Sequence, residues 1–169
     1  IIKAVVATED VRFYKHSGVD FSAILSAFFA SIRGESRGGS TITQQLAKNL
    51  YSTRENSSKG LLGYVPFINT IISKTKEWIT AIKLERNYTK EEILAMYLNT
   101  VDFGRNAFGI KTAARTFYNT TPDSLSVNQA AVLVGMLKAP TYYSPISNPK
   151  ASLERRNTVL GQMMKYRII

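Results

Sequence analysis

The chain has no cysteine and only one histidine, His16, among 169 residues. A disulfide scaffold and a Cys-ligated zinc site are thereby excluded, as is any metal site built from several histidines. Acidic residues are scarce: 12 Asp and Glu stand against 22 Lys and Arg, a net charge of +10. Long hydrophobic runs are missing too, since nothing approaches the roughly 18 apolar residues that a membrane-spanning helix needs. The longest apolar patch, at 61–72, is broken by Gly63 and Pro66. There is no secretory signal, internal repeat, low-complexity segment, phosphate-binding glycine loop or convincing alternating strand pattern.

What is present is an ordinary globular composition, 44% hydrophobic and 20% charged, which excludes a disordered chain. The length suits one domain with a real core. The positive balance asks for a polyanionic partner: nucleic acid, an acidic membrane surface or a phosphorylated substrate. The chain opens on Ile1-Ile2-Lys3 without Met and closes on Arg167-Ile168-Ile169, so residues 1–169 are expected to be a piece cut from a longer protein.

Helical spacing dominates. Asp20 precedes apolar residues at Phe21, Ile24, Leu25, Phe28, Phe29 and Ile32, which predicts a capped helix. After the 34–39 loop, Ser40 is expected to cap a helix through Leu50. Residues 51–69 read as a polar loop and an apolar patch, followed by a helix from about Ile71 to Arg86 with Ile71, Trp78 and Ile82 on one face. Thr89 with Glu92, and Ser126 with Gln129, are capping boxes that open two more helices, the second running to Lys138. Helices are also expected at 109–117 and from about Lys150. The fold class is all-α or nearly all-α.

Three clusters can carry chemistry. Glu9 and Asp10 follow the apolar run 4–7, so a helix over 3–9 would end on Glu9. A half-buried carboxylate there has a raised pKa and can act as a base; the plainer reading is a solvated helix end. Gly38-Gly39-Ser40 leads into Gln44, Gln45, Lys48 and Asn49. A glycine pair before a hydroxyl-capped helix suits an anion, and Gln44 and Lys48 at i, i+4 offer an amide and a cation to one ligand. Capping alone does not explain that many polar groups. Lys74 and Glu77 at i, i+3 read either as a surface ion pair or as a second functional carboxylate. His16 reads as a hydrogen-bonder ordering the Glu9 loop.

These residues resemble the peptidoglycan glycosyltransferases, glycosyltransferase family 51, the polymerising module of class A penicillin-binding proteins. Residues 9–18 are similar to that family's first signature, E-D-x-x-F-x-x-H-x-G, and 39–45 to its second, G-S-T-I-T-Q-Q. Lys74-x-x-Glu77 resembles the third, residues 93–99 the fourth and 109–115 the fifth. The segments 139–149 and Arg155-Arg156-Asn157 resemble its C-terminal half. One departure stands out: Ser73 occupies the place of the third signature's arginine, leaving Lys74, Lys76 or Arg54 to supply a cation near phosphates. The stretch between Asn49 and Lys74 is also longer than in most members, which places the 61–72 patch where the family has a mobile, membrane-facing loop.

The resemblance implies a lysozyme-like, two-lobed helical domain with an active-site cleft. It implies polymerisation of lipid II into β-1,4-linked glycan by inverting transfer, with undecaprenyl pyrophosphate leaving. Glu9 would be the base toward the acceptor hydroxyl, and Glu77 would stabilise the leaving group or hold a divalent cation, Mg or Mn. No organic cofactor is expected. Asp10, Arg12, Ser40, Gln44, Gln45, Lys48, Asn49, Lys74, Lys111 and Arg115 would bind sugar or phosphate. Expected partners are lipid II, the growing lipid-linked chain, an anionic membrane surface, moenomycin-type inhibitors and a C-terminal transpeptidase domain. The expected location is the outer face of a bacterial cell membrane, with the anchoring helix outside residues 1–169.

Two other readings fit the composition. A lysozyme-like hydrolase must protonate a poor sugar leaving group, whereas the cations Arg12, Lys48, Lys74 and Lys76 favour an anionic one. A basic helical nucleic-acid-binding domain is compatible with the charge, but its Lys and Arg are spread along the chain and the Ser/Thr/Gln cluster has no role there. Nucleic acid is not expected as a partner.

Overall fold

The structure is a computed structural model that describes residues 1–34, 38–51 and 66–169, with side chains from 71 onward in the last stretch. Eight α-helices appear among these residues: α1 Ile2–Glu9, α2 Phe21–Ile32, α3 Ile42–Tyr51, α4 Pro66–Asn87, α5 Lys90–Thr100, α6 Ile110–Tyr118, α7 Val127–Met136 and α8 Pro149–Lys165. Short 3-10 turns lie at Phe13–Lys15 and Pro122–Ser124. The described residues hold no strand, only an isolated bridge between Asp102 and Phe108. The all-α expectation is met. No helix of the described residues is long and apolar enough to cross a membrane.

The chain divides into two compact units, Ile1–Val11 with Leu98–Ile169, and Arg12–Tyr97. In the first unit α1 packs on α7 and α8, and α7 packs on α8. Ala4, Val5 and Ala7 bury one side of α1. From Ala130 to Met136 every residue of α7 except Val132 is buried, as expected of a helix sunk in a core rather than laid on it. Small side chains at Ala130, Ala131 and Gly135 let its neighbours approach closely. The Ser126–Gln129 capping box opens α7 as expected, but the helix stops at Met136 instead of Lys138.

In the second unit α3 packs on α4. Asp20 caps α2 through the Ala23 N–H, and Thr89 and Glu92 exchange the hydrogen bonds of a capping box at α5. Three expectations are corrected. The cap of α3 is Thr41, not Ser40: the Gln44 N–H donates to Thr41 Oγ1 at 3.1 Å, while that hydroxyl donates to the Gly18 carbonyl at 2.6 Å. A buried hydroxyl with both partners satisfied displaces a half-buried one from the capping position. Helix α4 begins at Pro66, five residues before Ile71, because proline suits a first helical turn whose N–H has no partner anyway. The buried stripe of α4 is Glu77, Ala81 and Leu84, with Ile71 exposed and Trp78 and Ile82 only flanking it.

The apolar side of α2 contributes little to the core. Phe21, Leu25, Phe28, Phe29 and Ile32 are each more than half exposed, and of this helix only Ala30 is buried. Phe21 meets Trp78 of α4 edge to face.

Candidate functional site

Glu9 is the last residue of α1, and its side chain is only 15% exposed. It sits at the end of a helix whose buried face holds it against α7 and α8, so it is less open than a solvated helix end. Arg155 of α8 places Nη2 at 4.0 Å from Glu9 Oε1, a positive neighbour that stabilises the anion. Asp10, which ends the helix, is buried. Lys111 and Arg115 share one exposed face of α6, while Ala113 and Ala114 turn inward. Glu9, Asp10, Lys111 and Arg115 all belong to the first unit.

The second unit carries Arg12, Ser40, Gln44, Gln45, Lys48, Asn49, Lys74 and Glu77. Arg12 is held by Asp20: its Nε donates to Oδ2 at 2.8 Å and its Nη2 to Oδ1. The guanidinium holds the Asp20 carboxyl below the usual range, helped by the Ala23 N–H and opposed by burial. One carboxylate therefore caps α2 and anchors the segment that follows Glu9 and Asp10. His16 orders the same segment, accepting from the Gly18 N–H through Nδ1. Gly18 has φ +93, and a Cβ there would lie 2.8 Å from the Ala81 carbonyl, so no other residue fits against α4.

Glu77 is almost fully buried, at a place in the α4 stripe where an apolar side chain would be ordinary. Its Oε2 accepts from Lys74 Nζ at 2.6 Å, and the same ammonium donates to Ser40 Oγ at 3.3 Å. Signatures two and three thus meet at Lys74, a partly exposed cation held between a hydroxyl and a carboxylate. Gln44 is buried, and its Nε2 makes no hydrogen bond among the described residues. Gln45 accepts from the Tyr97 hydroxyl at 2.9 Å, tying α3 to α5. Lys48 and Asn49 are exposed. Gln44 and Lys48 therefore share a register but not an environment. Arg54 lies outside the described residues, as do residues 61–65 of the 61–72 patch, whose remainder belongs to α4.

A divalent ion at Glu77 would have to share the carboxylate with Lys74, and no three acidic or histidine side chains converge among the described residues. Mg²⁺ is usually held by one or two carboxylates, with substrate phosphates and water completing its shell. Among the described residues, Lys74 places a positive charge beside Glu77.

Two structural contributors escaped the sequence reading. Arg155 appeared there only as part of a C-terminal resemblance. Lys90 appeared only inside a capping box, yet it bonds the His16 carbonyl at 2.7 Å and pairs with Glu85, over the face of Phe13. Both make contacts more than sixty residues away, which no local spacing signals.

A family model described as Transglycosylase matches residues 1–164. The chain is 43% identical over 163 residues to penicillin-binding protein 1F of Bacillus subtilis, covering 95% of this chain and 21% of that protein. It is 41% identical over 167 residues to penicillin-binding protein 1A of Aquifex aeolicus, covering 98% and 21%. It is 39% identical over 168 residues to penicillin-binding protein 1A of Escherichia coli, covering 97% and 18%. The chain spans about a fifth of the length of these relatives.

Proposed function

The chain belongs to the transglycosylase family, and from that premise we propose that it polymerises lipid II into β-1,4-linked peptidoglycan glycan. In this reading the donor is a growing chain on undecaprenyl pyrophosphate, and the acceptor is the 4-hydroxyl of the next lipid II. The observation that carries it is Glu9: a mostly buried carboxylate at a helix end, in the segment that resembles the family's first signature.

An alcohol is a weak nucleophile until a base takes its proton, and Glu9 supplies that base. Attack displaces the pyrophosphate from the opposite face and inverts the anomeric centre. Pyrophosphate leaves as an anion, so it needs positive charge rather than a protonating acid. Lys74, held by Glu77 and Ser40, is suited to that task, with Lys48 as a second exposed cation. Glu77 then serves as the group that fixes Lys74, in keeping with its burial. Gln44, Gln45 and Asn49 are assigned to sugar and phosphate contacts, and Lys111 and Arg115 to the donor chain.

A lipid-linked substrate must be met at a bilayer. The exposed apolar face of α2, in a chain of net charge +10, suits the surface of an anionic membrane. The reading places the enzyme on the outer face of a bacterial cell membrane, open to moenomycin-type inhibitors. The test is Glu9→Gln with purified lipid II. Retained binding of lipid II or moenomycin with loss of chain synthesis is the expected result. Substantial polymer from that variant overturns the assignment, and hydrolysis of finished glycan by the unaltered chain would favour the hydrolase.

A further inference from the structure

Arg155 lies outside the roles assigned above. It belongs to α8, about 150 residues along the chain from Glu9, and both side chains are 15% exposed. A guanidinium this far from water is unfavourable unless an anion compensates it. Glu9 is such an anion, with 4.0 Å between Nη2 and Oε1. That separation exceeds a direct hydrogen bond, so Arg155 acts on the carboxylate by its charge.

The surroundings of Arg155 fix where that charge sits. Its guanidinium lies over the Tyr143 ring, with Cζ 5.8 Å from the centroid. Its stem runs against α7 at Gly135, where an added Cβ would approach Cγ to 3.0 Å. Glycine at that point leaves room for the arginine to pass. The Arg155 Nε and the hydroxyl of Thr8, next to Glu9, are buried and make no hydrogen bond among the described residues. The end of α1 is therefore a polar spot in an apolar packing of α1, α7 and α8. Asp10 adjoins Glu9 on its own segment and Arg155 faces it from α8, while α7 has no ionisable side chain.

We propose that Arg155 is the positioning residue of Glu9: it holds the carboxylate ionised and aimed, so that the base is ready before the acceptor hydroxyl arrives. The proposal rests on the reading of Glu9 as the base. A base works only in its ionised form, and a nearby cation extends that form to lower pH. Removing the cation while leaving Glu9 in its buried place raises the pH at which the base becomes active.

The experiment is the pH dependence of kcat/KM for lipid II polymerisation in Arg155→Met, Arg155→Lys and Gly135→Ala. In Arg155→Met the acid limb is expected to move up by about one pH unit, with kcat falling about tenfold and KM little changed. Arg155→Lys, which keeps the charge, restores the limb to within a few tenths of a unit. Gly135→Ala presses on the arginine stem and moves the limb in the same direction as Arg155→Met, by less. Should Arg155→Met fail to fold, the other two variants decide. An acid limb that stays in place in Gly135→Ala, with Arg155→Lys as impaired as an unfolded variant, overturns the proposal. So does an unmoved limb in a folded Arg155→Met. If Glu9→Gln still polymerises, the base reading fails. If Glu9→Gln is inactive and the limb does not move, only the role of Arg155 fails.

Discussion

Lys74 Nζ stands 2.6 Å from Glu77 Oε2 on the same helix, and it is Glu77, not Lys74, that is buried. The pair is therefore asymmetric. Lys74 compensates the buried charge of Glu77, while its own side chain stays about a third exposed to solvent at 34%.

Removing Lys74 should be worse for stability than removing Glu77. Lys74→Met takes the Lys74 cation from a buried carboxylate and is expected to lower stability by about 2–3 kcal/mol, somewhat less than for a fully enclosed pair. Glu77→Gln keeps the shape and leaves the ammonium partly hydrated, so about 1 kcal/mol is expected. Urea midpoints read both values. Both variants should lose most glycan synthesis, because the first removes the cation and the second lets it wander.

Thr41 and Ser40 separate a cap from a site residue. Thr41→Ala deletes the α3 cap and the bond to the Gly18 carbonyl, for a loss of about 1–2 kcal/mol. Ser40→Ala should change stability by about 0.5 kcal/mol or less, while weakening synthesis through Lys74. Thermal melts and polymerisation rates of the two variants check the pair. Equal stability losses would return the cap to Ser40.

Asp20 predicts an acid limb of stability. Its folded pKa lies below the ordinary value of 3.8, chiefly through the Arg12 hydrogen bond. A depressed carboxyl pKa contributes stability that is fully present above the unfolded value and is lost as pH falls through the folded one. Asp20→Asn should be less stable than the unaltered chain at pH 6 by about 1.5–3 kcal/mol. The difference should shrink steadily below pH about 4. Urea titrations across that range measure it, and a gap that stays constant with pH contradicts the assignment.

The α2 face predicts membrane partition without a folding role. Phe28→Ser with Phe29→Ser removes two side chains that are already mostly exposed, so the melting temperature should barely move. Sedimentation with anionic vesicles should weaken at least tenfold, since each phenyl ring buried in lipid is worth roughly 1.5–3 kcal/mol. Unchanged sedimentation would assign the face to another partner.

How much of this was legible in the sequence depends on the range of the interaction. The helices, the Asp20 cap and both capping boxes are local, and their residues lie within four positions of one another. Periodicity and cap chemistry reach that far. The start of α4 was missed because an apolar patch with a proline reads as a loop until the helix behind it is seen. Its inner stripe was missed because Glu77 is a charged residue placed where spacing alone would put an apolar one.

By itself, then, the sequence determined an all-α chain, its caps, and the residue types and order that mark a transglycosylase. It could not rank those residues by environment. Only the tertiary structure decided that Glu77 is buried and Lys48 exposed, that Thr41 rather than Ser40 caps α3, and that α2 turns its phenylalanines outward. It also brought Arg155 to Glu9 and Lys90 to His16. The physical reason is common to all of these: burial and charge pairing depend on which helix packs on which, and that is set by contacts between residues far apart in the chain.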